Sequence, residues 1–142
     1  MKGTFLAFIV AILWGITPLI EKKALNYIEP LTAVFIIICI NFLTISSIYL
    51  ILGKVDISSL LHIPLKAIIY LIIVSILAGV VAQYLFYKSL EVSSPSKVVI
   101  ISSIYPLITI LANSIISREL PSFKIIIGAM LVFIGIFLVI SD

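Results

Sequence analysis

Polar side chains recur at helical spacing inside an otherwise apolar stretch near residues 98–116. They follow one another at intervals of four, three, four and four residues: Ser102, Pro106, Thr109, Asn113 and Ser117. This spacing places them on one face of an α-helix. Hydroxyl and amide groups on such a face could bind a polar solute or hydrogen-bond to another helix.

Further polar and aromatic side chains lie within the other apolar runs. Asn41 and Gln83 carry more hydrogen-bonding groups than their own helix satisfies, so each either joins two helices or faces a solute. The rings of Trp14, Tyr84 and Tyr105 could contact a cationic or aromatic solute, or could serve in packing and as interface anchors. We predict a pathway lined by these side chains: Trp14, Asn41, Gln83, Tyr84, Ser102, Tyr105, Thr109 and Asn113.

Glu21 is the acidic residue best placed to carry a proton. It ends the first apolar run and shares a helical face with Trp14, Thr17 and Pro18. The alternative is an ordinary solvated acid at a helix end. The centres of the apolar runs hold no charged residue, which argues against an ion channel with a charged ring and against a buried carboxylate relay.

Other chemistries find little support in the sequence. Cys39 and His62 are the only residues of their types, so neither a disulfide nor a Cys/His metal site is expected. The chain has no nucleophile–base set and no phosphate-binding loop, so we expect no enzyme activity and no cofactor. The nine Lys and Arg residues form no stripe, which argues against nucleic acid as a partner.

The composition requires a lipid bilayer as solvent. Of the 142 residues, 63% are hydrophobic and 11% are charged, against about a quarter charged in soluble domains. Apolar runs predict an all-α integral membrane protein, a bundle of five transmembrane helices at about 4–20, 31–52, 67–87, 98–116 and 123–140. We expect one transmembrane domain over residues 1–142 and no soluble domain. The runs lack the alternation of barrel strands.

The first run could also be read as a signal peptide, because Met1-Lys2 precedes it. We expect an uncleaved helix instead. The run is longer than a typical signal-peptide core, and no clear cleavage site follows it.

Small residues and prolines predict where helices approach one another and bend. Helices in lipid associate through close backbone approach, for which small side chains are suited. The predicted packing positions are Gly3, Ala7, Ala11, Gly15, Gly79, Gly128 and Gly135. Pro18 and Pro106 cannot donate to the carbonyls of Trp14 and Ser102, so both should kink their helices.

Several short segments together resemble one protein family. They are Ile12-Leu13-Trp14-Gly15, Tyr87-Lys88-Ser89-Leu90 before the Ser93 to Ser96 turn, Tyr105-Pro106-Leu107, Arg118-Glu119, and Gly128 with Gly135. Their order and spacing are similar to the EamA-type repeat of the drug/metabolite transporter superfamily. The chain resembles a single repeat, as in the short five-helix bacterial and archaeal transporter branch.

The resemblance implies a transporter in the cell membrane, an exporter of a small organic metabolite or drug-like solute. It implies a homodimer that works by alternating access. Two departures stand out. The stretch from Ala33 to Ile38 lacks the basic residue often found there, which disfavours an anionic substrate, and Arg118 replaces a common glycine. The alternative function is a non-transporting membrane subunit that assembles with another membrane protein.

The basic residues give little orientation bias. With five crossings, the N-terminal side carries five of the nine: Lys2, Lys54, Lys66, Arg118 and Lys124. The other side carries four: Lys22, Lys23, Lys88 and Lys97. Such a small difference would allow insertion in both orientations and an antiparallel homodimer, although insertion in one fixed orientation is the alternative.

Overall fold

Five long apolar helices make up most of the described chain. The structure is a computed structural model, and it describes residues 2–53, 58 and 62–140. Within these residues, five helices are long and apolar enough to cross a membrane. We name them α1 (Lys2–Ala24), α2 (Pro30–Ile51), α3 (Leu65–Val92), α4 (Pro95–Ser117) and α5 (Phe123–Ile140). The predicted all-α membrane fold is confirmed.

Two helices continue several residues past the C-terminal end of their apolar runs. α1 reaches Ala24 rather than residue 20, and α3 reaches Val92 rather than residue 87. Charged residues end an apolar run without ending a helix, because long side chains extend to water while the backbone stays hydrogen-bonded. Glu21 and Lys22 therefore belong to α1.

Local signals in the sequence set the helix starts. α2 begins at Pro30, whose missing N–H is tolerated in a first turn. α4 begins after Ser94, whose Oγ accepts a hydrogen bond from the backbone N–H of Lys97 at 3.4 Å. Two residues with left-handed backbones follow helix ends, namely Gly53 (φ 59°) after α2 and Arg118 (φ 56°) after α4.

α3 and α4 are not uniform helices. α3 is α-helical over Leu65–Val74, π-helical over Ser75–Ala82 and α-helical again over Gln83–Val92. α4 is interrupted between its segments Pro95–Ser102 and Tyr105–Ser117.

The chain forms two compact units, residues 1–92 and 93–142. In the first, the last segment of α3 packs against α1 and α2. Its buried residues include Pro18, Ala33, Val34, Tyr87 and Leu90, and they lie where α1 ends, α2 begins and α3 ends.

The second unit is simpler. α5 packs against both segments of α4, with Val98 and Ile136 buried. Most other large apolar side chains in both units are exposed, as expected for helices that lipid surrounds.

Candidate functional site

A carboxylate joins α1 to α3 within the first unit. The Oε1 atom of Glu21 accepts a hydrogen bond from the Tyr87 hydroxyl at 3.0 Å and a longer one from Gln83 Nε2 at 3.5 Å. Gln83 and Tyr87 are four residues apart, so both lie on one face of α3. We call Glu21, Gln83 and Tyr87 the acid cluster.

The acid cluster lies at the packed end of the unit. Tyr87 is only 1% exposed, and Glu21 and Gln83 are partly buried. Both donors to the carboxylate are neutral, and among the described residues no cationic side chain forms a salt bridge with it. A carboxylate in this setting can take up a proton or hold a positively charged group.

A second polar contact adjoins the acid cluster. Lys22 Nζ donates to the backbone carbonyl of Leu90, and to that of Glu91 at 3.1 Å. The last carbonyls of a helix have no partner within the helix, and a lysine can satisfy them. Glu21 and Lys22, which are adjacent on α1, thus contact one face of α3 and its C-terminal end, respectively.

The structure brings together only part of the predicted pathway in this unit. Gln83 contacts Glu21, and Tyr84 beside it is partly buried. Trp14 is 65% exposed on α1, and Asn41 is exposed on α2. The side-chain amide of Asn41 makes no hydrogen bond within the described chain.

In the second unit, the predicted pathway residues all lie on α4. The Ser102 hydroxyl donates to the Val99 carbonyl at 3.0 Å, and the Thr109 hydroxyl donates to the Tyr105 carbonyl at 3.1 Å. Tyr105 is 58% exposed. Asn113 is also exposed, and its side-chain amide lacks a hydrogen-bond partner among the residues described. An amide at membrane depth needs one, so Asn113 is the polar group of α4 that is most free to meet a solute or another helix.

The two prolines have different surroundings. α1 continues through Pro18, and the Thr17 hydroxyl donates to the Trp14 carbonyl at 3.1 Å. α4 is interrupted just before Pro106, which falls in the first turn of the segment Tyr105–Ser117.

The predicted packing positions remain largely uncovered. A Cβ atom built on Gly3, Gly15, Gly128 or Gly135 would find no other described atom within 4 Å, its own helix backbone and chain neighbours aside. At Gly79 the nearest atom is Ser75 Oγ at 3.9 Å, from the same helix. Ala7 and Ala11 are exposed as well.

Sequence reasoning missed Tyr87 and Lys22 as site residues. The interval between Gln83 and Tyr87 is a usable signal, because two polar groups four residues apart share a helical face. No sequence pattern indicates that Lys22, rather than the adjacent Lys23, would reach the end of α3. Within the described chain, no group of three His, Cys, Asp or Glu side chains could hold a metal ion.

Comparison with known proteins gives one family. The model of the EamA-like transporter family matches residues 1–141. Searches of curated proteins and of solved structures find no significant match.

Proposed function

Because the chain belongs to the EamA-like transporter family, we propose that it exports a small organic metabolite or drug-like solute across the cell membrane. It works as a homodimer by alternating access. Membership of the family indicates a membrane transporter of small solutes, and the five long apolar helices make it a multi-pass membrane protein. Export, the cell membrane, the homodimer and alternating access go beyond what family membership indicates and belong to the proposal.

The acid cluster is the observation that carries this proposal. Glu21 holds a carboxylate between two membrane-spanning helices, and the donors that it meets among the described residues, Gln83 and Tyr87, are both neutral. A proton and a positively charged solute would compete for such a group, which couples the movement of one to the other. The partly buried Tyr84 ring and the exposed Trp14 ring supply apolar or cation–π contacts for an aromatic amine.

The dimer is supported by what one chain leaves uncovered. A Cβ built on Gly3 or Gly15 of α1, or on Gly128 or Gly135 of α5, meets no atom of its own unit's described residues within 4 Å, its own helix backbone and chain neighbours aside. Small residues on exposed faces allow the backbone of a second copy to approach closely. The same uncovered surface supports the second candidate function, a non-transporting subunit that assembles with a different membrane protein.

Flux into liposomes tests the transport proposal. Purified protein is reconstituted, a pH gradient is imposed, and uptake of radiolabelled phenethylamine, leucine and adenine is measured. We expect uptake of phenethylamine driven by the gradient, and its loss in the Glu21→Gln variant. Absence of flux for all three probes would favour the subunit function.

Glu29→Gln is the matched control for this experiment. Glu29 adjoins α2 at the same end of the unit, and within the described part of the chain its carboxylate accepts one side-chain hydrogen bond, from the Thr32 hydroxyl at 3.0 Å. This variant removes the same charge without touching the acid cluster, so flux should persist. Equal loss in both variants would mean that net charge, rather than Glu21, supports transport.

The orientation of the two copies needs its own test. We propose an antiparallel pair, on the basis of the five-to-four distribution of basic residues; Lys54, which belongs to that count, lies outside the described residues. Reporters active on opposite membrane sides are fused in turn to the C-terminus. Comparable activity from both supports two orientations, and activity from one alone would indicate a fixed orientation.

A further inference from the structure

One end of the first unit is closed by protein contacts. Pro18, Ala33, Val34, Tyr87 and Leu90 are buried there. Elsewhere in the unit, the described residues of α1 and α2 and the first two segments of α3 are mostly exposed. A solute that crosses beside these helices would meet its protein barrier at the packed end.

Lys22 contributes a contact at this end that the adjacent Lys23 does not. The partly buried Lys22 ammonium donates to the carbonyls of Leu90 and Glu91. Lys23 is exposed, and its side chain has no hydrogen bond within the described chain. The two lysines carry the same charge on the same turn of α1, so their hydrogen-bond contacts are what distinguishes them.

The contact of Lys22 with Glu91 involves the backbone and not the carboxylate. Glu91 Oε2 pairs instead with Lys88 Nζ at 3.3 Å. The two carbonyls that accept from Lys22 belong to the last turn of α3. Carbonyls there have no partner within the helix and carry the negative end of the helix dipole. An ammonium bound in this way exchanges with water more readily than one in a buried ion pair, because water competes for both partners.

We propose that Lys22 is a releasable latch, which closes the packed end by holding the last turn of α1 against the end of α3. The latch rests on the proposed transport function, because alternating access requires this end to open. Opening transfers the Lys22 ammonium from the two carbonyls to water and separates α1 from α3. The hydrogen bonds of Glu21 with Gln83 and Tyr87 then break as well, because they join the same two helices as the Lys22 contact.

Cysteine reactivity tests the latch without any substrate. The Cys39→Ser chain carries a single Ala33→Cys replacement and is placed in nanodiscs, where both membrane faces meet a water-soluble maleimide. Ala33 is 4% exposed at the packed end, so the parent should react slowly. Lys22→Met should raise the rate several-fold, and Lys22→Arg should restore the slow rate because arginine still donates to carbonyls.

Two matched controls isolate the contact from charge. Lys23→Met removes the same charge from the same turn, and Glu91→Gln leaves the Glu91 carbonyl in place. Both should react like the parent. Equal acceleration by Lys22→Met and Lys23→Met would overturn the latch.

A second cysteine position separates opening from unfolding. Ser46 lies towards the other end of α2 and is partly buried, so Ser46→Cys should react at the same rate with and without Lys22→Met unless the unit unfolds. Acceleration at both positions would mean that the whole unit loosens, and would also overturn the latch. Failure of flux in liposomes leaves these rates unaffected, so failure of the latch and failure of transport are distinguishable.

Discussion

α1 and α4 each contain a proline within the predicted apolar run, yet only α4 is interrupted there. Pro18 and Pro106 both lack the N–H that would bond to the carbonyl four residues earlier. In α1, the Thr17 hydroxyl donates to the Trp14 carbonyl, Pro18 is buried, and the helix continues to Ala24. In α4, the helix stops at Ser102 and restarts at Tyr105.

Replacement partners and packing account for this difference. The Ser102 and Ser103 hydroxyls both donate to the Val99 carbonyl, at 3.0 Å and 2.7 Å. Neither donates to the Ser102 carbonyl that Pro106 leaves without its usual partner. The helix that has a short hydroxyl side chain three residues after the freed carbonyl, α1 with Thr17, stays intact. In α4 that position is Tyr105, and the helix is interrupted.

Removal of Pro106 should have the largest effect on this comparison. Pro106→Ala restores a donor for the Ser102 carbonyl. A proline inside a continuous helix costs about 3 kcal/mol relative to alanine, but Pro106 lies in a first turn, where proline is tolerated, so only part of that cost is recovered. We expect α4 to become continuous and the free energy of unfolding to rise by about 1–3 kcal/mol. Denaturation in mixed micelles measures the free energy, and hydrogen exchange of the backbone amides of residues 103–105 measures continuity.

Pro95→Ala is the control for this prediction. Pro95 lies in the first turn of α4, where no carbonyl of the helix precedes it. Its replacement should change exchange and stability little. Unchanged exchange after Pro106→Ala would mean that the serine hydroxyls, rather than the proline, impose the break.

The hydroxyl beside Pro18 should have a smaller effect. Thr17→Val keeps the shape of the side chain but removes the donor to the Trp14 carbonyl. We expect the free energy of unfolding to fall by about 1 kcal/mol, the usual net value of one hydrogen bond. Thr109→Val is the matched variant. Thr109 also donates to a carbonyl of its own helix, that of Tyr105, but no proline removes the backbone partner of this carbonyl inside the segment Tyr105–Ser117. Equal losses in the two variants would contradict the role given to Thr17.

The sequence predicted the helices well and the site only in part. The apolar runs located all five helices, because a segment in lipid must satisfy its own backbone. The same runs placed the end of α1 too early, since Glu21 and Lys22 are charged and still helical. Intervals along one helix identify residues that share a face, as with Gln83 and Tyr87.

Contacts between helices were beyond what the sequence could predict. The pairing of Glu21 with Tyr87 depends on how α1 is rotated against α3, and no interval in the sequence encodes that rotation. The choice of Lys22 over Lys23 for the end of α3 has the same origin. Both lysines follow the same apolar run, and only packing distinguishes them.

The smallest expected effect concerns Arg118, which follows the end of α4. Its backbone is left-handed, with φ of 56°, and this conformation costs a residue with a Cβ roughly 1–2 kcal/mol. Glycine avoids the clash but loses more entropy on folding, so Arg118→Gly should raise the free energy of unfolding by only about 0.5–1 kcal/mol.

Gly53 provides the reverse experiment after α2. Its φ is 59°, and a Cβ there would find no described atom within 4 Å, its chain neighbours aside, so we expect the backbone conformation to decide the effect of a side chain. Gly53→Ala should lower the free energy of unfolding by about as much as Arg118→Gly raises it. If Arg118→Gly instead destabilises the chain, contacts of the arginine with lipid headgroups outweigh its backbone conformation. α4 would then be held at its end by charge, as the latch proposal holds α1.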